Sequence, residues 1–222
     1  MFKNINKIKN KGLRYIVKTI TIFFLIILIL YIGVVIYRIP VAVERQRAEK
    51  IVPQIHNQKL TMDDVMGKYL PPEPDSKLNN STLEGIDANR NGIRDDAELA
   101  IFKLYPDSAR VRSGALQYAK AMQMYFRKDI TNSEIFVAVS QEDSRGDYCF
   151  YHSLPKIDWE AGEEAINKAF AIEDAKKEEI ENLVFNTEAR KNKVEENYKK
   201  YMTSMGDVGG PDCDIDPLIL PN

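Results

Sequence analysis

The residues whose types suit chemistry are concentrated in one stretch, residues 87–98, which reads DANRNGIRDDAE. Five of its oxygen-bearing side chains stand at positions 1, 3, 5, 9 and 12 of this stretch: Asp87, Asn89, Asn91, Asp95 and Glu98. Calcium is a hard cation that takes about six to eight oxygen ligands, and a single folded loop can supply most of them. The spacing therefore predicts a Ca²⁺-binding loop.

The first half of this loop is expected to bind through side chains. Asp87, Asn89 and Asn91 each direct one oxygen inwards in this prediction. Gly92 follows at the corner of the loop, where the backbone needs a positive φ angle that a residue with a Cβ atom adopts only at a cost. The order of ligands and glycine matches a calcium loop from its first position to its sixth.

The second half is expected to complete the ligand set. Ile93 contributes its backbone carbonyl, Asp95 binds directly or through water, and Glu98 binds with both carboxylate oxygens. A helix is predicted from Asp95 to Leu104, because Pro106 follows shortly after it.

Two further features of this helix are predicted. The carboxylate of Asp96 in its first turn favours the positive end of the helix dipole. Leu99 and Phe102, three residues apart, share one face and are its expected core contacts, with Ile101 as a third.

The stretch resembles an EF-hand-type loop, and its second half, NGIRDDAE, resembles the thrombospondin type 3 and dockerin loops. This resemblance covers about a dozen residues, so it implies a local site rather than a whole fold. It departs from the EF-hand pattern at Arg94, where an aliphatic residue is usual, and Arg90 and Arg94 partly offset the acidic charge. A lone site of this kind is expected to bind calcium at about 10⁻⁴–10⁻³ M. The alternative is an Asx-rich turn that caps a helix without metal.

The segment Thr19–Tyr37 carries no charged side chain. It is close to the roughly 20 residues that a transmembrane helix needs. Lysines and arginines precede it without any acid, which predicts a cytoplasmic N-terminus and an extracytoplasmic remainder, in a periplasm or at a cell surface. A cleaved signal peptide is the alternative, but the apolar core exceeds the usual roughly 7–15 residues, which favours an uncleaved signal-anchor.

The charge distribution supports this division. The chain carries a formal charge of −2, and residues 1–38 hold seven basic and no acidic residues, so the remainder carries −9. An acidic domain is a poor nucleic-acid binder and suits a divalent cation. The abundance of lysine, asparagine and isoleucine is typical of a bacterial protein.

The predicted fold class is mainly α, with a transmembrane helix, a stalk and one helical extracytoplasmic domain. The predicted segments are a basic cytoplasmic segment (1–18), the transmembrane helix (19–37), a stalk and Pro-rich linker (38–80), a helical domain containing the calcium-type loop (81–205) and a Gly/Pro/Asp-rich tail (206–222). Within the linker, Thr61 is a predicted helix cap, because Asp64 follows three residues later.

Helical periodicity continues through the domain. One helix is expected over residues 108–128 with Asp107 as its cap, and Asn132 is a candidate cap for a second helix. The run EIFVAV within that second helix is also compatible with a strand. Residues 158–202 form either one long helix or a hairpin that bends at 186–187.

Cys149 and Cys213 both lie in the predicted external part, where an oxidising environment favours a disulfide between them. Two free buried thiols are the alternative. A bridge closing this 64-residue separation would stabilise the fold by about 2–4 kcal/mol. In the tail, Asp212, Asp214 and Asp216 alternate as in a calcium loop, but Pro217 occupies the glycine position. The sequence therefore predicts a disordered acidic tail.

No catalytic residue is predicted. The chain lacks a nucleophile-elbow motif, a P-loop and a dinucleotide glycine pattern. Cys149 and His152 could pair on a helix, but a cysteine in a disulfide is no nucleophile. An enzyme that uses Glu98 or Asp143 is the least favoured hypothesis.

The favoured hypothesis is a membrane-anchored, extracytoplasmic calcium-binding protein that acts as a structural or protein-interaction module with an unknown protein partner. The alternative is a small inhibitor or immunity-type protein at the outer face of the membrane.

Overall fold

The computed structural model describes residues 11–222, and every regular element in this range is helical. The predicted fold class, mainly α with one long apolar N-terminal helix, is confirmed. The chain divides into two compact units, Met1–Arg47 and Ala48–Asn222. Part of the predicted cytoplasmic segment, residues 1–10, lies outside the described residues.

The first unit consists, in its described part, of the beginning of helix α1 (Lys11–His56). This helix is long and apolar enough to cross a membrane, and its apolar side chains are exposed. The hydroxyls of Thr19 and Thr21 donate to the carbonyls of Tyr15 and Val17 at 3.1 and 2.8 Å. These polar groups are therefore satisfied within the helix, as a hydrocarbon environment requires.

The second unit begins in the last part of α1, which continues helically through Pro53 to His56. Two single-turn helices follow, α2 (Met62–Val65) and α3 (Ser76–Asn79). The sequence places residues 38–80 in a stalk, whereas the structure packs residues 48–80 within the second unit. The physical reason is that apolar side chains of this segment, including Ile55, Leu60 and Val65, are buried in its core.

Five longer helices form the rest of this unit: α4 (Asp95–Leu104), α5 (Ala109–Gln123), α6 (Ser133–Ser153), α7 (Glu163–Val184) and α8 (Glu188–Tyr201). Short 3₁₀ turns lie at Met124–Phe126 and Pro217–Ile219. The segment EIFVAV is helical, and the sequence 158–202 folds as the hairpin α7–α8. On α4, Ile101 is fully buried while Leu99 and Phe102 are only partly buried.

Side-chain caps mark the beginning of several of these helices, although α4 and α7 begin without one. Thr61 and Asp64 form the predicted capping box at α2. Asn132 caps α6 as predicted, and Thr187 caps α8, which places the hairpin bend at the predicted residues. The prediction of Asp107 as the cap of α5 is wrong. Ser108 is the cap, and its side chain accepts the backbone N–H of Val111.

Helix α5 lies at the centre of this unit and is buried along almost its whole length. It crosses α6 at very short range, because a glycine on each helix faces the other backbone. A Cβ atom on Gly114 would lie 2.8 Å from the Cα atom of Phe150, and one on Gly146 would lie 2.9 Å from the Cα atom of Tyr118. Both distances are shorter than ordinary carbon contacts, so the crossing requires glycine.

The tail is attached to α5 and α6, and the prediction that it is disordered is wrong. The predicted disulfide Cys149–Cys213 is present, with Cα atoms 5.0 Å apart. The carboxylate of Asp214 accepts bonds from Arg145 Nη2 at 2.9 Å and from the backbone N–H of Leu60 at 2.8 Å. Gln117 bonds to the backbone on both sides of the cysteine, at residues 212 and 214. Acidic tail residues thus meet buried partners, which composition alone does not indicate.

Candidate functional site

The predicted calcium loop lies between α3 and α4, and its geometry follows from backbone bonds at its base. The N–H of Asp95 donates to the carbonyl of Ile86 at 2.8 Å, which closes the loop. Gly92 has φ +88°, the positive angle that the sequence predicts for this corner. Arg90 also has a positive φ of 59°, which L residues with a side chain adopt only rarely.

The first three predicted ligands hold the loop together through its own amides. The Asp87 carboxylate accepts the N–H groups of Asn91 at 3.2 Å and Gly92 at 2.9 Å. Asn89 Oδ1 accepts the Asn91 N–H at 3.3 Å, and Asn91 Oδ1 accepts the Ile93 N–H at 2.9 Å. These are Asx-type turns, and they gather Asp87, Asn89 and Asn91 around the same short stretch of backbone.

Glu98 joins this group from the first turns of α4, although only 1% of its surface is exposed. Its Oε1 accepts Asn91 Nδ2 at 2.8 Å, and its Oε2 accepts Asn89 Nδ2 at 3.0 Å. Burial raises the pKa of Glu98 to about 7; the two asparagine bonds oppose this shift, while the charges of Asp64 and Asp87 add to it. A carboxylate with few waters and acidic neighbours is stabilised by a cation.

The other two predicted ligands, Ile93 and Asp95, do not bond to the Glu98 side chain in the described contacts. Asp95 is buried, and its Oδ1 accepts the N–H of Ala88 at 2.9 Å, while burial raises its pKa. Ile93 directs its side chain into the apolar core with Ile101 and Leu116. The structure therefore brings the side chains of Asn89, Asn91 and Glu98 into direct contact, with Asp87 and Asp95 bonded to neighbouring backbone.

The donor set fits a hard cation after two side-chain rotations. Asn89 and Asn91 present their amide nitrogens to Glu98, and a rotation about χ2 exchanges nitrogen for oxygen in each. The rotations give up the bonds that Asn89 Oδ1 and Asn91 Oδ1 accept from backbone N–H groups, and at Asn89 also a 3.1 Å bond from Nδ2 to the carbonyl of Tyr69. Within residues 11–222, no group of three or more histidine, cysteine, aspartate or glutamate side chains is placed to hold a metal. The predicted set combines the carboxylates of Asp87, Asp95 and Glu98 with two asparagine side chains and one backbone carbonyl.

Arg94, the departure from the EF-hand pattern, is fully buried and has a structural role that the sequence does not reveal. Its Nη1 donates to the carbonyl of Val184 at 3.0 Å, and its Nη2 donates to that of Leu183 at 2.6 Å. The guanidinium also pairs with Asp96. Because those carbonyls belong to the last turn of α7, the positive charge lies at the negative end of a helix dipole.

Arg190 of α8 holds the segment before the loop in a similar way and is also fully buried. Its guanidinium donates to the carbonyls of Asn79 and Leu83 at 3.0 and 2.9 Å. It also donates to the side chain of Asn80 at 2.8 Å. The hairpin α7–α8 thus holds the loop region at two places. Arg94 of the loop bonds to α7, and Arg190 of α8 bonds to the segment before the loop. In each case the two partners are more than 80 residues apart in the sequence.

Beside the loop is an open polar cleft whose lining includes Asp64, Asp87, Asn91 and Lys120. Lys120 comes from α5 and is 6% exposed, with Nζ donating to the carbonyl of Lys59 at 2.8 Å. The sequence analysis missed Asp64 and Lys120, since neither lies near the loop in the chain.

Comparison of the chain with family models, with curated proteins and with solved structures finds no significant match. The geometry of the loop and of the helices around it is therefore what supports a function.

Proposed function

We propose that this chain is a single-pass membrane protein whose helical domain binds Ca²⁺ through residues 87–98 and serves outside the cytoplasm as a structural or protein-interaction module. Calcium in this proposal stabilises the loop and the helices that it joins. The observation that carries the proposal is the buried carboxylate of Glu98, held between the side chains of Asn89 and Asn91.

The electrostatics of Glu98 favour a bound cation. Its carboxylate is buried, and Asp64 and Asp87 place further negative charge nearby. Removing a carboxylate from water is costly unless an opposite charge accompanies it. A divalent ion would supply that charge and replace the asparagine N–H donors with metal–oxygen contacts.

The backbone supports the same assignment. Gly92 has the positive φ that the sixth position of such a loop needs. The Asp87 carboxylate already accepts two backbone N–H groups of the loop, so the turn at Asp87 is preorganised. The turns at Asn89 and Asn91 use the side-chain oxygens that the amide rotations redirect. The amide rotations at Asn89 and Asn91, and the lack of a paired second loop within residues 11–222, argue for modest affinity, about 10⁻⁴–10⁻³ M.

The orientation in the membrane is argued from charge and redox chemistry. Basic residues, without acids, precede the apolar helix, and such segments remain cytoplasmic. The disulfide Cys149–Cys213 is typical of an oxidising compartment. Both arguments support a location of the acidic helical domain outside the cytoplasm.

The proposal is tested by calcium titration of the full chain in detergent micelles, followed by calorimetry and by thermal unfolding. We expect heat of binding and, at about ten times the Kd, a stabilisation of roughly 1.4 kcal/mol. The double variant Asp87→Ala with Glu98→Ala is expected to lose both effects. Asp174→Ala with Glu178→Ala, two exposed acids of α7, is the control with the same charge change and should retain them.

The proposal is wrong if wild-type protein gives neither heat nor a shift in melting temperature at 10 mM calcium, a concentration about tenfold or more above the expected Kd. Equal responses to calcium and magnesium would also contradict it, because magnesium demands a smaller and more rigid octahedral site.

A further inference from the structure

We infer that Lys120 is a tethered counter-cation of the calcium loop and sets the calcium affinity of that loop. This inference rests on the proposed function, because it concerns the same site. It assigns the loop a regulating residue from α5, about 30 residues away in the chain.

The position of Lys120 is fixed by contacts along its whole length. Its alkyl chain passes over the loop corner, where a Cβ atom on Gly92 would lie 3.3 Å from Lys120 Cε. Its ammonium group donates to the carbonyl of Lys59 at 2.8 Å. With 6% of its surface exposed, this side chain is not a solvated surface lysine.

Charges from several segments face the Lys120 ammonium. Burial lowers the pKa of Lys120, and Lys59 adds to this shift, whereas the carboxylates of Asp64, Asp214 and Asp87 oppose it and favour the charged form. Two of these acids, Asp64 and Asp87, also act on Glu98. The same carboxylates therefore act on Lys120 and on the predicted calcium ligands. The Lys120 ammonium partly offsets their negative charge in the metal-free protein.

A fixed positive charge beside the loop has two opposite effects. It repels an incoming divalent ion, and it stabilises the acidic loop when no ion is bound. Replacing it with an uncharged side chain should tighten calcium binding by about tenfold, the effect of removing one charge at close range in a partly solvated site. The same replacement should lower the melting temperature in the absence of calcium.

The test compares wild type with Lys120→Met in the full chain in detergent micelles. Methionine is unbranched and of similar length, so it can follow the same path over Gly92. Calorimetry measures the calcium Kd, and thermal unfolding is recorded in chelator and in 10 mM calcium. Lys199→Met is the control, since Lys199 is exposed and pairs only with its helical neighbour Glu195 in the described contacts.

The expected result is a Kd about tenfold lower for Lys120→Met than for wild type and for Lys199→Met. The melting temperature of Lys120→Met should lie below wild type in chelator, and the difference should shrink or reverse in calcium. A purely structural role would not give this pattern, because damage to the loop weakens binding rather than strengthening it.

Unchanged or weaker calcium binding by Lys120→Met, with normal binding by wild type, overturns this inference and leaves the proposed function intact. Absence of binding in wild type and in Lys120→Met overturns the proposed function instead. If Lys120→Met does not fold, Lys120→Gln replaces it, because glutamine is uncharged and retains an N–H donor for the Lys59 carbonyl. The same criteria then apply to that variant.

Discussion

At the scale of single residues, the second unit depends on a few buried polar side chains that bond across long sequence distances. Arg94 donates to two carbonyls at the end of α7, and Arg190 donates to three carbonyls before the loop. Buried charges are tolerated when all their bonding capacity is used. Apolar periodicity does not reveal the role of charged residues such as these. From the sequence, Arg94 is only an unusual residue in a calcium loop.

Asp143 of α6 is a buried titratable group outside the loop. Its Oδ2 accepts the hydroxyl of Tyr125 at 3.1 Å, and its Oδ1 is shielded from solvent without a hydrogen-bond partner. Burial raises the pKa of Asp143 to about 6; the Tyr125 bond and Lys177 oppose the shift, whereas Asp147 and Glu181 add to it. The folded protein thus binds this proton more tightly than the unfolded chain does.

The consequence of that shift is a specific pH dependence. The stability contributed by protonated Asp143 is fully present below pH about 4, the unfolded pKa, and is lost as pH rises through about 6. We expect Asp143→Asn to gain stability relative to wild type by about 2–3 kcal/mol between pH 4 and pH 7. Urea unfolding of both proteins across this pH range measures the difference in their free energies of unfolding. The titration of groups common to both proteins cancels in this difference. A difference that stays constant with pH contradicts the assignment.

At the scale of helices, caps are the features that sequence predicts best. The predicted caps Thr61 and Asn132, and Thr187 at the predicted bend, begin their helices because each side chain satisfies an otherwise unpaired N–H group. Asp107 and Ser108 are both good capping types, and local sequence does not distinguish between them. Burial is harder to predict, because the face of α4 that carries Ile101 depends on where α5 packs.

Helices α5 and α6 approach each other closely at Gly114. We expect Gly114→Ala to destabilise the second unit by about 1–3 kcal/mol, because the new methyl group meets the backbone of Phe150 at 2.8 Å. The higher intrinsic helix propensity of alanine offsets about 1 kcal/mol of this at most. Denaturant unfolding measures the free energy.

Gly206→Ala is the matched control for this substitution. A Cβ atom there meets nothing within 4 Å, and the residue has no positive φ angle. It should leave the free energy of unfolding within about 0.5 kcal/mol of wild type. Equal destabilisation by both substitutions would show that the crossing is not closely packed.

At the scale of the whole second unit, the disulfide is the long-range link that the sequence predicts correctly, and the order of the tail around it is what the sequence misses. Alternating aspartates and glycines resemble a solvated chain. Asp214 instead bonds to Arg145 and to the Leu60 amide, which pattern analysis has no means of pairing. Long-range polar pairing is visible only once α5, α6 and the tail are folded together.

The contribution of this link is measurable by replacing both cysteines, Cys149→Ser with Cys213→Ser. We expect a loss of about 2–4 kcal/mol in the free energy of unfolding, because the unfolded chain regains the entropy of a long open loop. The polar bonds of Asp214 should retain some order in the tail, so its amides should exchange faster with solvent without becoming fully unprotected. Unchanged stability would mean that those polar bonds alone hold the tail.

Arg94 has one more consequence. Since a single guanidinium bonds both to the start of α4 and to the last carbonyls of α7, opening either segment breaks the same set of bonds. The loop and the hairpin tip therefore form one cooperative unit of local unfolding. Any ligand that closes the loop would therefore reduce fraying at the C-terminal end of α7, even without contacting that helix.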